Sequence, residues 1–215
     1  MSANHAAFNL IFRFVENYVS PIAGRISSQR HVMAIRDGFI SAMPFMIVGS
    51  FLLVFAYPPF SPDTTWGFAR AWLDMAKQFE GQILTPFDMT MGVMSLYICA
   101  AIAYNLGKHY VKTHQLDPFM CAMLSLMAFL LVAAPKTKGA LPVDSLGGTG
   151  IFTAILVAIY CVEMMRFLKA HNIGIRLPDQ VPPMIKNSFD LLIPVLVVVL
   201  TLYPLSLLIQ SQFGM

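Results

Sequence analysis

Residues 37–63 read DGFISAMPFMIVGSFLLVFAYPPFSPD, in which two aspartates enclose 25 residues, Gly38 to Pro62, without a charge. At a rise of 1.5 Å per residue, about 20 residues cross the roughly 30 Å hydrocarbon core of a bilayer, so this stretch is long enough to span. The pattern recurs at Met89 to Gly107, Pro118 to Pro135, Ser145 to Val162 and Leu191 to Met215, charge-free over 19, 18, 18 and 25 residues. The 215-residue chain is 57% hydrophobic and 12% charged, with a mean hydropathy of +0.68. That is about half the charge of a soluble domain. Its 25 charges lie between the apolar runs, which excludes a soluble globular, disordered, collagen-like or coiled-coil protein. The fold class expected is an all-α polytopic membrane protein. Its five transmembrane helices fall at about 38–60, 89–107, 118–135, 146–163 and 191–211. The two 18-residue runs are the shortest, and their flanking Lys136, Lys138, Glu163 and Arg166 can snorkel to extend them.

Lys and Arg set the orientation. With a cytoplasmic N-terminus, the inside segments hold Arg13, Arg25, Arg30, Arg36, Lys108, Lys112, Arg166, Lys169, Arg176 and Lys186, and the outside segments hold Arg70, Lys77, Lys136 and Lys138. Ten against four is a positive-inside bias, and it puts the C-terminus outside. Ahead of the first span, Phe8, Ile11, Phe12, Val15, Tyr18 and Val19 recur at helical spacing opposite Asn9, Arg13, Glu16 and Asn17. They predict an interfacial amphipathic helix ended by Pro21, although a docked soluble cap has the same pattern. The basic stretch Arg25 to Arg36 then lies against anionic headgroups. This divides the chain into a cytoplasmic segment, 1–37, and a membrane domain, 38–215. Between the first two spans, Ser61 to Asp88 reads as an outside loop with a helix-like part, Ala69 to Phe79, anchored at the interface by Trp66 and Trp72. Asn172 to Asp190 is an inside connection in which Pro178, Pro182 and Pro183 block a continuous helix.

Candidate chemistry is sparse. GxGxxG, P-loop, HExxH, GxSxG and CxxC motifs are all missing, so no catalytic residue, cofactor or metal site is expected. Cys99, Cys121 and Cys161 stand within apolar runs as packing or lipid-facing residues. His5, His31, His109, His114 and His171 lie in polar inside segments and read as solvated or headgroup-contacting. Glu163 follows directly on a span, where an acid is a functional suspect, but Arg166 at i+3 makes a solvated helix-end pair the expectation. Asp37 and Asp88 read as helix-start charges. Pro44, Pro194 and Pro204 read as shaping helices. Met91 to Ser95 (MGVMS) joins small residues to methionines, suited to close helix contact.

Two stretches carry a resemblance: VSPIAGRISSQRHVMAIRDGFISAMPFMIVGSFLLV (Val19 to Val54) and RLPDQVPPMIKNSFDLLIP (Arg176 to Pro194). With Gly92, Met94, Ser95, Leu96 and the run LGGTG (Leu146 to Gly150), they are similar to enzyme IIC, the membrane permease of the sugar phosphotransferase system, in its lactose, cellobiose and N,N'-diacetylchitobiose branch. The similarity covers the first half of the family pattern. It implies uptake of a β-linked disaccharide across the inner (plasma) membrane, coupled to its phosphorylation by enzyme IIA and IIB components, with a phosphorylated IIB cysteine as donor. The family's sugar-binding histidine and glutamate belong to the other half, so no residue here inherits those roles. This half is the scaffold and dimer interface against which the sugar-carrying half moves. The chain is therefore expected to be a truncated or split N-terminal half. It would pair as a homodimer or with a partner supplying the C-terminal half, with membrane lipid, and not with nucleic acid. Thr90, Gly92, Met94 and Ser95 are the candidate substrate-side surface, with ordinary helix packing as the competing account. A stand-alone five-helix scaffold that dimerises with or regulates a full-length permease is the alternative.

Overall fold

The computed structural model describes residues 13, 15–133, 143–175, 182 and 189–213, which contain helices and no strand. After a π-turn at Val15–Val19 come α1 (Ser20–Ser27), α2 (Arg30–Ala56), α3 (Gly67–Phe87), a second π-turn (Asp88–Gly92) and α4 (Met94–His114). They are followed by α5 (Pro118–Ala133), two 3-10 turns (Val143–Ser145 and Gly148–Gly150), α6 (Ile151–Ala170) and α7 (Leu192–Phe213). Among the described residues, four helical segments are long and apolar enough to cross a bilayer: Arg30–Ala56, Gly67–His114, Gly148–Ala170 and Leu192–Ile209, with Pro118–Ala133 a shorter apolar helix.

Several boundaries differ from the sequence reading. Pro21 is the second residue of α1, directly after the π-turn at Val15–Val19, and does not end a helix. Of the predicted amphipathic helix, Val15–Val19 form the π-turn, while Phe8, Asn9, Ile11 and Phe12 lie outside the described residues, as do Lys136, Lys138, Arg176, Lys186 and most of the proline-rich connection. α2 begins at Arg30, eight residues before the predicted span, because Gln29 caps it by accepting from the Val32 amide at 3.3 Å. Asp37 is thus inside a helix and pairs with Arg36 at 2.8 Å. The stretch predicted as an outside loop, Ser61 to Asp88, is largely the helix α3. Its Ala69 and Ala76 are buried while Arg70, Asp74, Lys77 and Glu80 face outward, so its charges mark one face of a helix and not a loop. Together α3, the π-turn and α4 make a 48-residue segment, about 72 Å of helix rise. The predicted start of the second span at Met89 falls in the π-turn. The fourth span starts at Ile151 instead of 146, because Gly147, Gly148 and Gly150 favour turns over helix. α6 then extends to Ala170.

α4 is the central helix: Ile98, Cys99, Ile102, Ala103, Leu106, Gly107 and Tyr110 are buried against α2, α5 and α6. Small residues let the helices approach. α2 presents Ala34, Gly38, Ala42, Gly49 and Ala56 as its buried stripe. Gln115 takes the left-handed conformation, φ 53°, to end α4. Asp117 then opens α5 by accepting from the Phe119 and Met120 amides at 2.8 and 3.3 Å. Cys99, Cys121 and Cys161 are all buried and unbridged, so they are packing residues. α7 packs on α5 and α6, with Tyr160 and Thr201 hydroxyls 2.6 Å apart and Lys169 paired to Asp190 at 2.5 Å.

Candidate functional site

The predicted surface at Thr90 to Ser95 is a junction between α3 and α4. Pro86 has no N–H to donate within the last turn of α3, and the chain passes through the π-turn at Asp88–Gly92 before Val93 breaks the helix at φ −116°, ψ 24°. Opening a new helix at Met94 leaves first-turn amides without intrahelical acceptors. The Leu146 carbonyl supplies one: the Ser95 amide donates to it at 3.0 Å and the Ser95 hydroxyl donates to the same oxygen. Leu146 belongs to the LGGTG run, which lies against the junction because it has almost no side chains. A Cβ on Gly147 would come 3.1 Å from the Gly92 carbonyl oxygen. One on Gly150 would come 2.8 Å from Ser95 Oγ and 2.3 Å from the Ser145 carbonyl oxygen.

The four candidates therefore come together but divide in role. Ser95 is fully buried and committed to the loop. Gly92 packs beneath Gly147, and Met94 Cε sits where a Cβ on Gly148 would meet it at 3.3 Å. The Thr90 hydroxyl donates back to the Pro86 carbonyl at 2.8 Å and lies under Gly49 of α2. Thr90, Gly92 and Met94 keep partly exposed surface. Asp88, expected to start a helix, occupies the π-turn in the middle of the long segment. The two irregular segments cover each other.

A second polar cluster joins α2, α4 and α6 at the opposite ends of the helices. Glu163 Oε1 accepts from the Tyr110 hydroxyl at 2.7 Å and lies 3.0 Å from His31 Nε2, while Oε2 pairs with Arg166 at 2.6 Å. The Gln29 amide donates to His31 Nδ1 at 2.9 Å, which assigns the ring's N–H to Nε2 and aims it at the carboxylate. The Arg30 and Arg166 guanidinium carbons lie 5.7 and 5.1 Å from the centre of the Tyr110 ring, within cation–π range. The Arg166 pairing agrees with the sequence reading. The solvated helix-end setting does not, since Glu163 is seven residues from the end of α6 and its side chain is 24% exposed. Three partners thus satisfy the oxygens of this largely buried carboxylate. Sequence spacing could flag Glu163 and Arg166, but Tyr110 and His31 stand 53 and 132 residues from Glu163, too far for any local pattern to pair them.

Among the described residues no group of three or more His, Cys, Asp or Glu could hold a metal ion. What the geometry supplies is a braced helical assembly with two polar fastenings. The Phosphotransferase system, EIIC family model matches residues 36–215. The chain belongs to the EIIC family. Over 206 residues it is 37% identical to the cellobiose-specific EIIC component of Geobacillus stearothermophilus, an alignment covering 87% of this chain and 43% of that protein. Over 220 residues it is 33% identical to the lichenan permease IIC component of Bacillus subtilis (strain 168), covering 94% and 46%. Among solved structures it is similar to ChbC, the IIC component from the N,N'-diacetylchitobiose-specific phosphotransferase system. That match has a TM-score of 0.77 and 34% identity, over 92% of this chain and 47% of ChbC. This EIIC-family chain spans less than half the length of each of these relatives.

Proposed function

We propose that this EIIC-family chain forms the N-terminal scaffold part of a plasma-membrane permease for a cellobiose- or diacetylchitobiose-like β-linked disaccharide, which the IIA and IIB components phosphorylate. The observation that carries this is the likeness to ChbC, 34% identical with a TM-score of 0.77 over 92% of the chain. The reading keeps five crossings with the N-terminus cytoplasmic, residues 1–37 on the inner surface and 38–215 as the membrane domain. In it the Glu163 cluster fastens the cytoplasmic ends of α2, α4 and α6, and the LGGTG junction braces the outer half. Thr90, Gly92 and Met94, which retain open surface, face the remainder of the permease; Ser95 is structural. Exposed apolar residues such as Phe152, Leu156, Leu196 and Leu200 are available to lipid, to the sugar-carrying part, or to a second copy in a homodimer.

The test is equilibrium binding of radiolabelled cellobiose and diacetylchitobiose to a chimera in which this chain replaces the matching part of ChbC. Intact ChbC and the 215-residue chain alone serve as controls. Saturable, competable binding by the chimera and none by the chain alone is expected. A chimera that is monodisperse in detergent and binds neither sugar overturns the proposal.

A further inference from the structure

An open groove of about 470 Å³ runs between α2 and α5 over the outward side of α4. Its polarity is graded along the helix axis. At one end Phe45 and Tyr97 stack with ring centres 4.4 Å apart, and the wall continues through Ala100 and Ala101. At the other end it closes on Tyr104, Asn105 and Lys108. From Tyr97 to Lys108 is eleven residues of α4, about 16 Å. That length suits the upper part of an acyl chain.

The polar end carries positive charge. Lys108 Nζ is held 5.4 Å from the centre of the Tyr104 ring, and no Asp or Glu carboxylate lies within 4.0 Å of it among the described residues. Lys112, one turn further along α4, is also exposed. On the facing helix, Asp37 stands one turn from the groove-lining Ser41, but it is engaged by Arg36 at 2.8 Å and does not neutralise Lys108. The other polar groups are already turned inward: Ser41 Oγ donates to the Asp37 carbonyl at 2.7 Å and Asn105 Nδ2 to the Ala101 carbonyl at 2.9 Å. The groove thus presents an apolar trough ending in the ammonium group of Lys108, with that of Lys112 one helical turn beyond its lining.

We propose that this groove seats an anionic phospholipid, one acyl chain lying along Phe45, Ala101 and Tyr97 and the headgroup phosphate between Lys108 and Lys112. Charge complementarity at one end and apolar walls at the other match a lipid in both parts. The lysines belong to the side that the positive-inside bias assigns to the cytoplasm, where anionic headgroups attract basic residues. The proposal requires only that the chain sits in a bilayer, and its failure leaves the permease reading untouched.

The test reconstitutes the chain in nanodiscs of equal phosphatidylglycerol and phosphatidylcholine, then counts the lipids retained on release by native mass spectrometry. Wild type is expected to keep phosphatidylglycerol preferentially. The Lys108→Ala, Lys112→Ala double variant should lose that preference on the order of tenfold or more, since each lysine near a headgroup contributes about a factor of five. Both side chains are exposed, so folding is spared. Ala101→Trp, which fills the trough and keeps both lysines, should lose the lipid as well, whereas Lys77→Ala on α3 should not. Equal retention of the two lipids by wild type, or a preference that survives either the double variant or Ala101→Trp, overturns the proposal.

Discussion

Replacing Gly38 by alanine tests the α2–α4 contact on which the helical assembly depends. A Cβ built there falls 2.4 Å from Ile102 Cγ1, 2.9 Å from the Ile102 nitrogen and 3.0 Å from its Cα. Ordinary carbon contacts are about 3.5–4.0 Å. The Ile102 side chain is fully buried, and two of the three clashing atoms are backbone, so no change of rotamer relieves the overlap. The helices must separate, with loss of contact along their shared face. Overpacking of this kind costs about 1–3 kcal/mol. For a chain of about 200 residues, each kcal/mol moves Tm by roughly 2–4 °C, so a fall of about 2–12 °C is expected. The assay is thermal unfolding in detergent followed by size-exclusion fluorescence. Gly81→Ala is the internal control: nothing lies within 4 Å of its added Cβ, and it sits inside α3. Alanine is better than glycine there by up to about 1 kcal/mol, so Tm should hold or rise by a few degrees. A Gly38→Ala protein as stable as wild type, or raised alongside Gly81→Ala, would refute the packing described.

Ser95→Ala removes the hydroxyl bond to Leu146 but leaves the amide bond at 3.0 Å, so a loss of about 1 kcal/mol is expected, with faster hydrogen exchange at residues 146–151. Unchanged exchange there would contradict the junction. Glu163→Ala strips three partners of their acceptor; a fully buried case costs about 3–5 kcal/mol, and the partial exposure of this one brings the expected loss to about 2 kcal/mol, read as Tm. Glu163→Gln, which still accepts hydrogen bonds, should lose less, and a loss equal to that of Glu163→Ala would contradict the hydrogen-bonded geometry. A charged maleimide should leave Cys99, Cys121 and Cys161 unlabelled in the native protein and label all three after unfolding in dodecyl sulfate; stoichiometric native labelling would contradict their burial.

Charge-free runs made α2, α5, α6 and α7 readable, because lipid excludes charge over a length that residue counting measures directly. α3 escaped that count. Arg70, Asp74, Lys77 and Glu80 interrupt every window across it, although Ala69 and Ala76 repeat at helical spacing on the buried side. The LGGTG run reads as the start of a span because glycine and threonine are uncharged. Its turns follow from three glycines and from a neighbour, Ser95, that offers two donors to one carbonyl. Composition marks out Gly92 and Ser95, yet the hold of Ser95 on Leu146 depends on a contact 51 residues away. Glu163 shows the same limit. Its charge at a span's edge was visible, whereas the ring of Tyr110, His31 and Arg166 around it exists only once three helices are packed.

Sugar uptake coupled to phosphorylation tests the central claim most directly. Permease-deficient cells that supply the IIA and IIB components would express the chimera of this chain with the remainder of ChbC, and accumulation of phosphorylated diacetylchitobiose would be measured. The account predicts phosphorylated sugar from the chimera and none from the 215-residue chain alone. A chimera that reaches the membrane at the level of ChbC and accumulates no phosphorylated sugar would contradict it.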